Sequence, residues 1–244
     1  AVTLTFMACE GDGGGEDAPP TVINISAIPG VIAPIVGAIP VTTITETAQY
    51  TGTVTWDGSF VWCKRFAGQK SYTATITLTA KSGYTLTGVA ANFFTVAGAT
   101  TVTNSANSDV ITAVFPATAS IGNIGDSALG GKVAYILQSS DTGYVAGEQR
   151  GLIAATADQS TGVGIIWGQS VEVTETSTTI GSGSANTDKI IALNGSGSTY
   201  AAGLARAYNG GGYTDWYLPS IDELNKIITN STAIGGFSGG TWYW

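Results

Sequence analysis

The chain has 244 residues, enough for one or two domains with cores of their own. Apolar residues make up 43% and charged residues only 11%, with 34 glycines; this mix excludes a coiled coil and suits short strands joined by many turns. The formal net charge is −8 and no block of Lys and Arg occurs, which argues against nucleic-acid binding by phosphate neutralisation. Histidine is absent, so Ser-His-Asp and Cys-His catalysis and the commonest metal ligand are removed together.

Residues 1–20 read as a signal remnant and a tether. An apolar run, AVTLTFMA, leads into Phe6-Met7-Ala8-Cys9, which resembles a lipobox, and Cys9 is the expected lipidation site. EGDGGGEDAPP then follows, an acidic stretch rich in Gly and Pro that cannot build a core. The basic start of a signal is missing, so the chain is expected to begin partway through it. The protein is accordingly expected to be exported, to lie at the outer membrane or cell surface, and to contact the membrane through this lipid anchor. No run of 18 apolar residues offers a second span.

Residues 21–117 read as one β domain. Tyr72 to Ala80 alternates strictly, with Tyr72, Ala74, Ile76 and Leu78 on one face and threonines on the other. Strands are also expected over Thr21–Ile28, Ala48–Trp56 and Val110–Phe115, separated by turns at Pro29-Gly30, Asp57-Gly58 and Ser82-Gly83. About seven short strands at this spacing suggest an immunoglobulin-like sandwich. The blocks ITETAQYTGTVTW and YTATITLTAKSGYTLTGVAANFFTVAGAT resemble a repeat of bacterial surface proteins. WDGSFVWCKRF (Trp56 to Phe66) is an insertion carrying Lys64-Arg65 and Cys63. It reads either as an aromatic-basic contact loop or as a hairpin variation whose rings shield the sheet edge. Cys63 either pairs with another molecule or is buried as a small apolar group.

Residues 118–127 read as a small-residue hinge, and 128–244 as an α+β domain. A strand is expected at Lys132–Gln138. A helix capped near Ser184 or Asn186 is expected next, with Ile190, Ile191 and Leu193 as its apolar stripe. A second helix spans Ser198–Tyr208 and ends at the glycine run 210–212. A third covers Ile221–Asn230, with Leu224, Ile227 and Ile228 on one face. Ser220 and Glu223 have the spacing of a capping box at its start.

The segment YTDWYLPSIDEL (Tyr213 to Leu224) is similar to the DWRLP-x-x-x-EL core of the DUF1566 family, the Lcl C-terminal domain. GGKVAYI, GLIAATADQSTGVGIIWG and ANTDKIIAL match the same family in the same order, so the resemblance covers about residues 122–244. It implies a C-type-lectin-like α+β fold and a binding role, as in a collagen-like adhesin that carries such a domain and binds sulfated polysaccharide. Family members continue past an aromatic block where this chain reads TWYW, which implies that terminal strands of the fold are cut short. The expected fold class is therefore multidomain, an all-β immunoglobulin-like sandwich followed by an α+β C-type-lectin-like domain.

Catalysis finds few candidates here. Cys9 and Cys63 lie outside the second domain, so the thiol chemistry of oxidase relatives of that fold is not available to it. Asp215, Asp222 and Glu223 are close in sequence but lack the alternation of a calcium loop. No cofactor or metal is expected. Aromatics are the better candidates, because a rigid ring stacks on a sugar face at low entropic cost. Trp216 and Trp242 are expected in the core, while Asp215 and Tyr217 point the other way if 215–218 is a strand. Asp215, Tyr217 and Tyr243 are thus the expected ligand-binding residues. The expected function is a surface lipoprotein, not an enzyme, that binds a glycan or an extracellular protein. A structural envelope protein and a carboxylate-dependent hydrolase are the alternatives.

Overall fold

The computed structural model describes residues 18–58, 60, 64–160, 164–168, 173–237 and 243. Cys9 with its lipobox, Cys63, Trp242 and Trp244 lie outside the described residues.

Residues 21–115 are built around the alternation noted above. The strands are β1 (Thr21–Val22), β2 (Tyr50–Trp56), β3 (Thr73–Ala80), β4 (Tyr84–Thr85), β5 (Thr101–Asn104) and β6 (Val110–Val114). An antiparallel sheet runs in the order β2-β3-β6-β5, and β1 pairs β4 in parallel. In β3, Ala74, Ile76 and Leu78 are buried while Thr75, Thr77 and Thr79 face out. Register places Ile76 between Val54 and Ile111, and all three are buried. Thr75 sits between Thr55 and Thr112 on the other face. A single apolar cluster joins this inner face to Ile23, Ile28, Phe94 and Phe115. Each fully buried side chain of that size contributes about 1.5–3 kcal/mol.

The strand expected over Thr21–Ile28 stops after two residues. Beyond Ile23, whose N–H still reaches Thr85 O, side chains interrupt the backbone pairing, which resumes where Thr95 bonds Ser26 and Ile28. Gln49 Oε1 accepts from the N–H groups of Asn24 and Ile25, both at 2.9 Å. The Tyr50 hydroxyl reaches the carbonyls of Ile25 (3.2 Å) and Ala27 (2.9 Å). Every backbone group must find some partner, and here two consecutive side chains supply them. In the insertion after β2, Phe60 and Phe66 pack on Tyr72, and Phe66 also meets Trp56 edge-on at 5.0 Å. Phe66 is itself buried, while residues 59 and 61–63 of the insertion lie outside the described residues.

The rest of the chain mixes strands and short helices. Strands β7 (Ser127–Ala128), β8 (Gly131–Ile136) and β9 (Gly151–Ala154) form an antiparallel meander, with a bulge between Val133 and Tyr135. Helices α1 (Gly183–Asn194), α2 (Ala201–Ala207), α3 (Ile221–Thr229) and α4 (Ser231–Ile234) follow. One cluster packs Ala134, Leu137 and Leu152 of the meander region against Ile180, Ile234 and Ile227. A second joins Ile190, Tyr200 and Ala202 to Trp167 and Leu218. Among the described residues the chain is thus β-rich with a few short helices, all of them in its second half.

Some helix details depart from expectation. Ser182 occupies the N-cap of α1, but its hydroxyl donates to the carbonyls of Ser177 and Thr179 and does not cap the helix, and both expected caps lie inside the helix. Asn186 turns back instead to the backbone of Ser177. Leu193 and Ile228 are exposed, so the apolar stripes of α1 and α3 are narrower than their sequences suggest. The box at the start of α3 is present: Ser220 Oγ accepts from Glu223 N–H, and Glu223 Oε2 accepts from Ser220 N–H at 2.7 Å.

Residues 118–127, read as a hinge, are stitched to both neighbours. The Thr118 hydroxyl donates to Ala67 O at 2.6 Å. Gln149 Oε1 accepts from Ser120 Oγ and Ile121 N–H, and its amide donates to Gly122 O. Gly68 and Gln149 exchange two backbone hydrogen bonds, at 2.8 and 3.0 Å. Beside them Glu148, its side chain only 3% exposed, pairs with both Lys70 and Arg150. Segment 67–70, before β3, is thereby joined to segment 148–150, before β9. The part up to residue 117 is called the front unit and the remainder the rear one.

Candidate functional site

A cavity of about 620 Å³ opens beside this joint, with walls from both halves. The volume falls within the range of about 300–1,000 Å³ usual for small-ligand pockets. The rear wall depends on two glycine turns packed backbone to backbone. A Cβ on Gly211, whose φ is +65°, would stand 2.2 Å from Gly130 Cα, so neither turn admits a side chain there. Helix α2 has already ended at Ala207, with Tyr208 extended as its C-cap, which corrects the expectation that the glycines end it. The glycine run at 210–212 forms a 3-10 turn that seats the following segment. Trp216 hangs from it, donating through Nε1 to Gly210 O at 3.2 Å and meeting Tyr208 edge-on at 5.0 Å. Residues 215–218 belong to no strand, and Trp216 is half-buried and lines the cavity, which corrects its placement in the core.

Asp215, Tyr217 and Tyr243 all line this one cavity. Asp215 is exposed and accepts from Arg65 Nε at 2.7 Å. Arg65 comes from the front unit, 150 residues earlier. Its Nη1 donates to Gly37 O at 2.8 Å and its guanidinium lies 4.9 Å above the Tyr213 ring. Tyr243 donates to Asp158 Oδ2 at 3.3 Å and packs on Phe237. Tyr217 donates to Glu223 Oε1 at 3.4 Å. Sequence reasoning singled out Lys64-Arg65 only as part of an odd insertion. Its signal was a cation next to aromatic residues; its partner on the far side was invisible.

Glu223 is fully buried, and its carboxylate accepts from Gly181 N–H (2.8 Å), Ser220 N–H and the Tyr217 hydroxyl. Those donors are supplied by the fold, so this carboxylate needs neither metal nor substrate to be satisfied. Asp222 faces a separate, smaller pocket with Asp141 and Lys226. Of the three acids that lie close in sequence, Asp222 is thus set apart, while Asp215, exposed, and Glu223, buried, both line the larger cavity. Among the described residues no group of three His, Cys, Asp or Glu side chains is placed to hold a metal ion.

Two carboxylates, Glu148 at the joint and Asp141 in the smaller pocket, are held below their ordinary values. Burial pushes the Glu148 carboxyl up, but hydrogen bonds and charge from Lys70 and Arg150 outweigh it and leave it below its ordinary value. Burial likewise opposes ionisation of Asp141. Hydrogen bonds from the Tyr135 hydroxyl and Gln138 N–H, with the Lys226 charge, bring it below the ordinary range. Comparisons with family models, with curated proteins and with solved structures find no match for this chain.

Proposed function

We propose that this is a binding protein displayed outside a bacterial cell, which captures a glycan or an extracellular protein without chemical turnover. In this reading the front unit is an immunoglobulin-like module, the rear unit a C-type-lectin-like one of the kind its sequence blocks resemble, and Cys9 the lipid anchor. One observation carries the binding role: Asp215, Tyr217 and Tyr243 line one cavity, together with half-buried rings and a few oriented polar groups. Apolar walls with sparse, fixed polar contacts are what recognition of a small ligand requires. The acids near the cavity have structural partners, which supports binding over hydrolysis by a carboxylate pair. The whole chain should be applied to glycan arrays and to immobilised extracellular proteins at several salt concentrations. Retention of a defined ligand class, weakened by Asp215→Asn, is the expected result. Failure to retain any glycan or protein would overturn the proposal.

A further inference from the structure

We propose that the cavity selects a neutral, hydroxyl-rich saccharide, and that the Arg65–Asp215 pair contributed by the two units is the element that reads it. This rests on the binding role proposed above and narrows it. Among the described residues the cations that line the cavity are already paired. Arg65 is paired with Asp215, Arg150 is held by Glu148 through both Nε and Nη2, and Asp158 accepts from Tyr243. Glu223, also on the wall, adds a negative charge, and the whole chain carries −8. An anionic ligand would meet no surplus of cations and a repulsive long-range field.

A fixed guanidinium beside a fixed carboxylate suits a different chemistry. The guanidinium only donates and the carboxylate only accepts, whereas a hydroxyl does both. Two neighbouring hydroxyls on a sugar ring satisfy the two groups together, one accepting from Arg65 and one donating to Asp215. Arg65 is preorganised for this, because Gly37 O and the Tyr213 face hold it and its side chain is only 15% exposed, while Asp215 at 49% stays open to solvent. The rings of Trp216 and Tyr243 give the sugar an apolar face to lie on. The front unit is on this account part of the site, since without Arg65 half of the hydroxyl-reading pair is gone.

The test uses the whole chain on an array of neutral, carboxylated and sulfated saccharides at about 0.05 and about 0.5 M salt, a range over which exposed charge contacts are strongly screened. Neutral saccharides should be retained, with affinity changing less than about twofold between the two salts. Arg65→Lys keeps a cation beside Asp215 but loses the planar fork, and should weaken binding about tenfold or more, as should Asp215→Asn. Thermal unfolding of both variants, recorded alongside, separates loss of binding from loss of folding. Thr55→Ala, on the outer face of the sheet, should bind as the parent does. Preference for sulfated or carboxylated saccharides with a steep fall at high salt overturns the proposal, and so do folded Arg65 and Asp215 variants that bind normally. Retention of an extracellular protein but of no saccharide overturns it while leaving the broader binding role standing. A chain that binds neither class overturns both.

Discussion

Gly183 shows how one absent side chain can decide a site. It opens α1, where alanine would ordinarily gain up to about 1 kcal/mol in helix propensity. Here a Cβ would stand 2.2 Å from Glu223 Oε2 and 2.6 Å from Cε2 of Tyr217. That carboxylate is locked by Gly181 and Ser220 N–H groups and has little room to retreat. The clash should outweigh the propensity gain, and Gly183→Ala should destabilise by about 1–3 kcal/mol in urea unfolding. Stability equal to or above the parent would show that the Glu223 pocket yields. Glu223→Gln keeps the shape but sets an amide donor against donors, and should cost a similar amount, about 1–3 kcal/mol, by the same measurement.

At the scale of elements, the segment after β1 is held by Tyr50 and Gln49 where a ladder was expected, and this gives a titration test. Burial pushes the Tyr50 hydroxyl up from 10.0 to about 12. Its neutral form is the folded form, so the stability it contributes is complete below pH 10 and is lost as pH rises from 10 towards 12. Tyr50→Phe should lower stability by about 1–3 kcal/mol at neutral pH, because two carbonyls lose their donor. It should also flatten part of the alkaline decline; Tyr135 and Tyr200, both raised by burial, keep the remainder. An alkaline curve identical to the parent's would refute the assignment. The contrast with β3 and α3 explains what was readable in advance. Period two in Tyr72–Leu78 and the Ser220–Glu223 spacing are local signals, and both appear as expected. The strand expected over Thr21–Ile28 is interrupted where side chains more than 20 residues away take the N–H groups of Asn24 and Ile25 and the carbonyls of Ile25 and Ala27. Backbone pairing returns only at Ser26 and Ile28, with Thr95. The site divides in the same way. Asp215, Tyr217 and Tyr243 stand out as polar or aromatic residues near one corner, whereas Arg65 becomes meaningful only when a contact across 150 residues is known.

At the scale of the whole molecule, the joint is the region most exposed to acid. Glu148 is held below 4.5 by Lys70 and Arg150, so the stability it contributes is complete above that pH and declines as pH falls through its lower folded value. Asp141 adds to the same acid-side loss. Glu148→Gln removes the charge that reconciles two cations, and should cost about 3 kcal/mol while flattening the acid limb of the stability curve. Calorimetry of the parent near neutral pH should show one heat-absorption peak, because bonds on both strands of the joint couple the halves. The variant should show two peaks as the halves part company. Two peaks in the parent would mean that the joint transmits little.

Arg65 and Asp215 face each other across that joint, so a guest touching both becomes a brace between the halves. A loaded chain would then resist being stretched end to end more than an empty one. Drag on a captive in flowing liquid would be felt first at the place that grips it, and holding on would itself stiffen the hand.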